Sequence, residues 1–574
     1  MLKKVEWPEL PVKKPGDLDE GEESRDVLDY SLLEIIMLDG IGGLVKALEL
    51  KGAFRFSKIT PAQKKMMGEM ISSLKLNFYP YCDSLETSKR RVYFMINQDG
   101  ERRLLSVAPG NKAHDGLTAG EVLNLDSFMV KVCLLTHENA GVIREIFGYT
   151  SPSVLGTKSA FGTGDRIGGA ASATPGHIRA AKNYDVAMFL AQQSVRENAR
   201  TRRTFRQVLD DATWGVFQEG YKRQWGADAD HLMDLVSMGQ AVDAGFTMFT
   251  VDPSHCINDT PVNMGLEESR RTFLALFSTG KEAKKFMEKY LSISRKLTGP
   301  THTLKIEYHE EEVMRIAVQY LRAIRFTSDA YAAITHHKGT TDIDFEMSVD
   351  ETSAPTTALA HYLIIRELRD AGVRLTSLAP RFDAGFEKGV DIRTNNGRKP
   401  SPADLKRFEN NIKDHALIAR EMGSYKLGVH SGSDKFTAYP IISRHTEGMF
   451  HVKTAGTSYL EAVKVIAKHD PSLYRQLHQH ALETFELNRK TYHLTTNLAN
   501  VPEARELNRA KVVEGLTEND DWRQVIHVAY GALLQKFGKR MIGILSENLE
   551  DYYQTVAQHI KLHLDGFGLK RLYN

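Results

Sequence analysis

The chain has 574 residues, with 75 Lys+Arg against 73 Asp+Glu for a formal net charge of +2, a balance that leaves no electrostatic footprint for nucleic acid or anionic lipid. Cys82, Cys133 and Cys256 are odd in number and far apart, which argues against a disulfide framework and for a reducing compartment. Hydrophobic residues at 42% and charged residues at 26% are globular averages, and no run approaches the roughly 18 apolar residues of a membrane span.

The opening MLKKVEWPELPVKKPGDLDEGEESR lacks the apolar stretch of a signal peptide, so a cytoplasmic location is expected. Residues 1–28 mix Pro, Gly and charge and read as an extended arm. Helical periodicity follows at Leu32–Leu50 and Pro61–Leu74. The segment 90–109 reads as two strands around Gln98-Asp99-Gly100, because Asp-Gly suits a tight hairpin. From about residue 150 short apolar stretches recur, each followed by helical periodicity. They are KSAFGTGD (158–165), ATWGVFQE (212–219), GFTMFTVD (245–252), TDIDFEMSVDE (341–351), GVRLTSLAP (372–380), YKLGVHSG (425–432) and GMFHVKTAG (448–456), with YHLTT (492–496) as an eighth candidate. One intervening helix is sharply marked: Ser401-Pro402 caps its start, Leu405, Phe408, Ile412 and Ala419 line one face, and Gly423 ends it. The gap 253–340 is long for one crossover and should hold extra helices, and the tail from about 470 reads as mostly helical.

Strands alternating with helices predict parallel pairing through right-handed crossovers. The expected fold is α/β, a (β/α)8 TIM-type barrel over 151–500 with an N-terminal mixed α/β layer (29–150) packing on it and C-terminal helices (501–574). No internal repeat is present.

Barrel enzymes place their reactive groups at the carboxyl ends of the strands. There the sequence offers Asp165, Asp252, His255, Asp350, Glu351, Arg381, His430, Ser431, Ser433, Asp434, Lys435, His451 and Lys453. Period-2 parity orients them. If Leu427, Val429, Phe450 and Val452 face the helices, then Gly428, His430, His451 and Lys453 face inward. By the same rule Asp344, Glu346, Ser348 and Asp350 point in. Inward imidazoles and carboxylates suit a divalent metal with mixed N/O ligands, or alternatively a hydrogen-bonded polar core. HSGSDKF (430–436) offers hydroxyls and backbone amides to a polyhydroxylated or anionic ligand. GADADHLMD (226–234) is a second acidic ligand segment or a helix start. GTGDRIGGA (162–170) misses the dinucleotide glycine spacing, so no NAD is expected. P-loop, HExxH, GxSxG and CxxC motifs are absent, and His336-His337 reads as a loop or helix end.

The segments FGTGDRIG with ATPGH (161–177), DDATWGVFQEGY with GADADHL (210–232), SVDET (348–352), SLAPRF (377–382), GVHSGSDKFTAYPII (428–442) and FHVKTAGTS (450–458) resemble the tagaturonate epimerase family over about residues 150–480. The resemblance implies metal-dependent C4 epimerisation of a 2-keto hexose sugar, either tagaturonate to fructuronate or fructose/tagatose. It implies a sugar or sugar-acid ligand, while charge and hydropathy lead to no nucleic acid or membrane partner being expected; a homo-oligomer is left open. Position and parity then assign Glu351, His430 and His451 to a divalent metal (Zn, Mn, Co, Ni or Fe), Asp165 and Asp252 to acid/base work, and Lys453 to the developing oxyanion. Asp350, Arg381, Ser431, Ser433, Asp434 and Lys435 are expected to bind substrate, with Arg381 or Lys435 pairing a carboxylate, and His255 and Asp350 are reserves for metal or base. A barrel aldolase, an aldose–ketose isomerase and a non-catalytic sugar-binding protein are the competing readings.

Overall fold

Asp99 and Gly100 adopt the two left-handed conformations that a tight hairpin requires, with φ of 53° and 80°. They join two strands of a five-stranded sheet: β1 (Tyr79–Ser88), β2 (Arg91–Gln98), β3 (Glu101–Pro109), β4 (Glu121–Leu125) and β5 (Phe128–Cys133), in the order β1-β2-β3-β5-β4. The computed structural model describes residues 40–572 apart from 111–114, 126, 261–263, 301, 394–397 and 493. The expected arm 1–28 and the start of the Leu32–Leu50 helix therefore lie outside the described residues, and that helix is seen as Gly40–Leu50. The helix Pro61–Ser73 begins at a Thr60/Gln63 capping box. Leu44, Leu48, Met67 and Ile71 from these helices share a buried core with Phe94, Ile96, Leu105 and Val130 of the sheet. Most of this region is one compact unit, and Leu134–Asn574 forms the bulk of a second.

The second unit is a closed barrel of eight strands: β6 (Ala160–Gly162), β7 (Ala187–Ser194), β8 (Trp225–Leu232), β9 (Met248–Val251), β12 (Asp344–Val349), β13 (Ser377–Pro380), β14 (Lys426–Val429) and β15 (Phe450–Lys453). All eight neighbouring pairs of the barrel are parallel, and β15 closes on β6 with Val452 opposite Phe161. β10 (Ser294–Thr298) and β11 (Thr303–Glu307) form a separate hairpin in the long gap. That gap also holds the helices Leu266–Leu274, Gly280–Leu291 and Glu310–Lys338, the last with His336 and His337 in its final turn. Leu427, Val429, Phe450 and Val452 are at most 1% exposed and pack outward, worth roughly 1.5–3 kcal/mol each. The other parity set fills the interior. A Cβ on Gly428 would lie 2.5 Å from Glu346 Oε2, so only glycine leaves room there.

Two expected strands are corrected. ATWGVFQE lies in the helix Phe205–Gln218, started by a Thr204/Gln207 capping box; eleven of its residues are buried, so its apolar run mimics a strand. YHLTT pairs with no strand among the described residues; Thr495 instead bonds Glu387 and Thr496 bonds Gln524. Their places are taken by β7 and β8. β8, WGADADHL, is built from Gly, Ala and Asp, residues of low strand propensity, and is held by burial of every residue. The tail is helical as expected, with Pro471–Asn488, Tyr530–Glu547 and Leu549–Gly566 as its longest segments.

Candidate active site

β8 supplies the centre of the site through a break in its regularity. Its pairing with β9 slips by one residue between Ala229 and Leu232, and His231 takes φ 54°. This bulge turns consecutive residues, Asp230 and His231, toward the barrel mouth. His430, one residue past the end of β14, meets them there, its ring centroid 5.0 Å from that of His231. His430 Nε2 lies 2.7 Å from Glu346 Oε1, and its Nδ1 lies 3.3 Å from Asp350 Oδ1.

Below them Lys453 anchors a ring of charge. Its ammonium stands 2.9 Å from Asp228 Oδ2, 2.8 Å from Asp230 Oδ1 and 2.9 Å from Glu346 Oε1, and donates to Thr250 Oγ1 at 2.6 Å. Burial opposes charge on Lys453, but Asp228, Asp230 and Glu346 together hold its pKa well above the ordinary lysine value. Burial likewise works against ionisation of Asp230 and Glu346, yet His231 and Lys453 for the first, and Lys453 and His430 for the second, keep both well below the carboxylate range. For Asp228 burial prevails, and its pKa is pushed up to about 6. His231 is held well above its usual value, chiefly by Asp230 acting against burial. Asp252 is raised by burial, with Glu351 and Asp350 adding to the effect.

The ends of these strands line a polar cavity with about 600 Å³ of empty space including its mouth. Asp230, His231, Glu351, His430, Ser431, Ser433 and Lys453 face it, as do Gln192, Arg166, Arg196, Lys388, Tyr492 and His527. Arg196 grips both oxygens of Glu351 at 2.8 and 3.0 Å.

The residues singled out from sequence fall into separate places. Glu351, His430, Lys453, Ser431 and Ser433 line the cavity, and Asp350 touches both His231 and His430. Asp252 stands behind, in a group with His231 and Glu351, with its Oδ2 buried and unpartnered. His451 lies a layer deeper, stacked on Phe189 at 4.6 Å, with Nδ1 3.9 Å from Glu346. Asp165 accepts from the backbone amides of Ile167, Gly168 and Ala173, which occupies both its oxygens in shaping its own loop. Arg381 donates to the Thr352 carbonyl, and Lys435 to the carbonyls of Glu387 and Val390. Asp434 pairs with His559 at 2.7 Å. His255 is exposed, edge-on to Phe326. Parity missed His231, because the bulge reverses it; Arg196 and Lys388 carry no strand-end signal.

The donor set fits a cation. Asp230, His231 and His430 offer ligand atoms within 4.8 Å of one another, as do His231, Asp252 and Glu351. His231 Nδ1 lies 2.9 Å from Asp230 Oδ1 without hydrogen-bond alignment, and neither ring nitrogen has a hydrogen-bond partner. Buried His231 nitrogens without an aligned hydrogen bond, beside the unpartnered Oδ2 of Asp252, are a costly arrangement that a bound ligand would relieve.

A parallel eight-stranded barrel whose strand ends gather imidazoles, carboxylates and an ammonium around one polar cavity defines a (β/α)8-barrel enzyme. The family model described as tagaturonate epimerase (UxaE) matches residues 81–567. A tagaturonate/fructuronate epimerase from Thermotoga maritima is 41% identical over 479 residues, covering 83% of this chain and 94% of that protein. The one-glycerol crystal structure of fructuronate-tagaturonate epimerase UxaE from Cohnella laeviribosi aligns with a TM-score of 0.79 at 36% identity, over 89% of this chain and 100% of that one. Its native crystal form gives 0.78. The chain belongs to the tagaturonate epimerase family. No helix among the described residues is long and apolar enough to cross a membrane.

Proposed function

We propose that this protein interconverts D-tagaturonate and D-fructuronate by inverting C4, through cleavage and re-formation of the C3–C4 bond at a divalent-cation site. The observation that carries the reading is the convergence of Asp230, His231 and His430 beside Lys453, with both His231 nitrogens unsatisfied.

The chemistry selects the route. C4–H lies β to the C2 carbonyl, so its carbanion has no enolate resonance and direct proton exchange is expensive. The C4 hydroxyl is also β to that carbonyl. Loss of its proton lets the C3–C4 electron pair flow toward C2, giving a three-carbon enediolate and a three-carbon aldehyde that carries the carboxylate. A half turn of the aldehyde, re-formation of the bond and return of the proton to O4 yield the epimer with no net redox change. A divalent cation held by His231, His430 and Asp230 would supply Lewis acidity to the C2 and C3 oxygens, and Zn, Mn, Co, Ni or Fe all suit these donors.

The chain's own groups divide the remaining work. Glu351, at the cavity wall and oriented by Arg196, takes the O4 proton. Asp252, buried behind Glu351 in one group with it and His231, favours its protonated form and resupplies the proton through Glu351. Lys453 keeps Asp230 and Glu346 charged, which fixes His231 and His430 in place. Ser431 and Ser433 meet substrate hydroxyls.

The test is incubation of purified protein with D-tagaturonate in D2O, followed by NMR. Fructuronate formed without deuterium at C4 is expected. Deuterium at C4 overturns the cleavage route, accumulation of three-carbon products makes the protein an aldolase, and unchanged tagaturonate overturns the activity.

A further inference from the structure

The cavity wall carries four cations, Arg166, Arg196, Lys388 and Lys453, against three carboxylates, Glu197, Asp230 and Glu351. Three of the cations are already paired. Arg166 holds Glu197 at 2.6 Å, Arg196 holds Glu351 at 2.8 Å, and Lys453 is shared among Asp228, Asp230 and Glu346. Lys388 alone among the four has no ion pair or side-chain hydrogen bond among the described residues.

Its backbone, in contrast, is firmly held. Lys388 lies in the loop after β13. The carbonyls on either side of it, of Glu387 and Val390, accept from the buried Lys435 ammonium. The Glu387 carboxylate accepts from Thr495 Oγ1 at 2.7 Å and Gln524 Nε2 at 2.8 Å. The next residue, Gly389, has φ 69°, and a Cβ there would lie 2.7 Å from His527 Nδ1, so the turn presenting Lys388 depends on that glycine. A fixed loop presents to this polar cavity an ammonium that no carboxylate pairs among the described residues. An unpaired ammonium held in place there is suited to an anionic group of a bound ligand.

We infer that Lys388 binds the terminal carboxylate of the sugar acid and so sets the preference for a hexuronate over a neutral ketohexose. The assignment rests on the proposed activity for the identity of the ligand. It moves the carboxylate contact expected of Arg381 or Lys435 to a residue those two do not replace, since Arg381 is spent on the Thr352 carbonyl and Lys435 on the loop itself.

The test measures tagaturonate binding by calorimetry and turnover by NMR in full-length wild type, K388M, K388R and K388E. K388M is expected to weaken binding and raise KM by about 30-fold or more, the scale of one charge-assisted hydrogen bond, with kcat changed far less. K388R is expected to recover most of the loss, and K388E to be worse than K388M. Equal binding by wild type and K388M, or a K388R variant as weak as K388M, overturns the assignment while leaving the proposed activity standing. Wild-type protein that binds tagaturonate in a Lys388-dependent way without converting it overturns the activity and keeps the assignment. Wild-type protein that does not bind it at all overturns both.

Discussion

Among the described residues two Asp/His clusters each have three ligand atoms within 4.8 Å of one another: Asp230–His231–His430 at the strand ends, and Asp434 with His559 and His563 of the C-terminal helix Leu549–Gly566. Their hydrogen bonding separates them. In the second cluster His563 Nε2 accepts from the Asp434 amide at 3.0 Å and its Nδ1 faces the His559 carbonyl at 3.0 Å. His559 lies between Asp434 at 2.7 Å and Glu461 at 3.4 Å. Each of its ring nitrogens faces a partner within the protein. In the first cluster His430 is occupied too, by Glu346 at 2.7 Å and Asp350 at 3.3 Å, but His231, 2.9 Å from Asp230 and 3.7 Å from Asp350, makes no aligned hydrogen bond at either ring nitrogen. Proximity of ligating types makes a candidate; unsatisfied donor atoms distinguish a site from a staple.

The comparison can be broken by mutation. His430→Ala is expected to lose about 10³-fold in kcat/KM, several kcal/mol of transition-state stabilisation, together with bound metal. Steady-state NMR kinetics and elemental analysis read both, and an active, metal-loaded variant would merge the two clusters' roles. Asp434→Asn is expected to do the reverse. It lowers stability by about 1–3 kcal/mol, because it removes one of the two carboxylate charges that hold the buried His559 imidazolium, and leaves metal content unchanged; thermal unfolding and elemental analysis check it.

The pH dependence sharpens the contrast further. Burial lowers His559, but Glu461 and Asp434 raise it above its ordinary value. A raised histidine stabilises fully below the unfolded value near about 6.5, and that contribution is lost as pH rises through the folded value. Burial raises Asp434, yet His559 drives it below the carboxylate range, so its contribution is present above about 3.9 and lost only in strong acid. The Tm difference between wild type and His559→Gln is therefore expected to be largest near about pH 5–6 and to shrink as pH rises above it. A gap that widens with pH contradicts the pairing. The smallest effect belongs to the His337–Asp243 pair, whose side chains are 48% and 57% exposed. His337→Ala should shift stability by less than about 0.5 kcal/mol in denaturant titration.

Much of this was legible in sequence, for reasons visible residue by residue. Period 2 gives direction, and so placed Glu346, His430 and Lys453 inward. It does not give depth: His451 and Lys453 share a face of β15, yet His451 stacks on Phe189 below the cavity while Lys453 lines it. Nor does it survive a bulge, which is why His231 was hidden in a segment that read equally well as a helix start. Strand-end polarity also cannot reveal whether a side chain serves ligand or backbone, and Asp165 and Lys435 are turned wholly to backbone groups. The barrel itself was readable because its core strands β12, β14 and β15 alternate cleanly. β8, made of Ala, Gly and Asp, was not, because tertiary burial overrides its propensity.

The central claim is that the first cluster is a cation-dependent epimerisation site. It is tested most directly by converting D-tagaturonate with protein stripped by a chelator and then reloaded with a single divalent metal. The account predicts that fructuronate formation disappears on stripping and returns as metal content approaches one ion per chain. Full conversion by protein shown to be metal-free would contradict it.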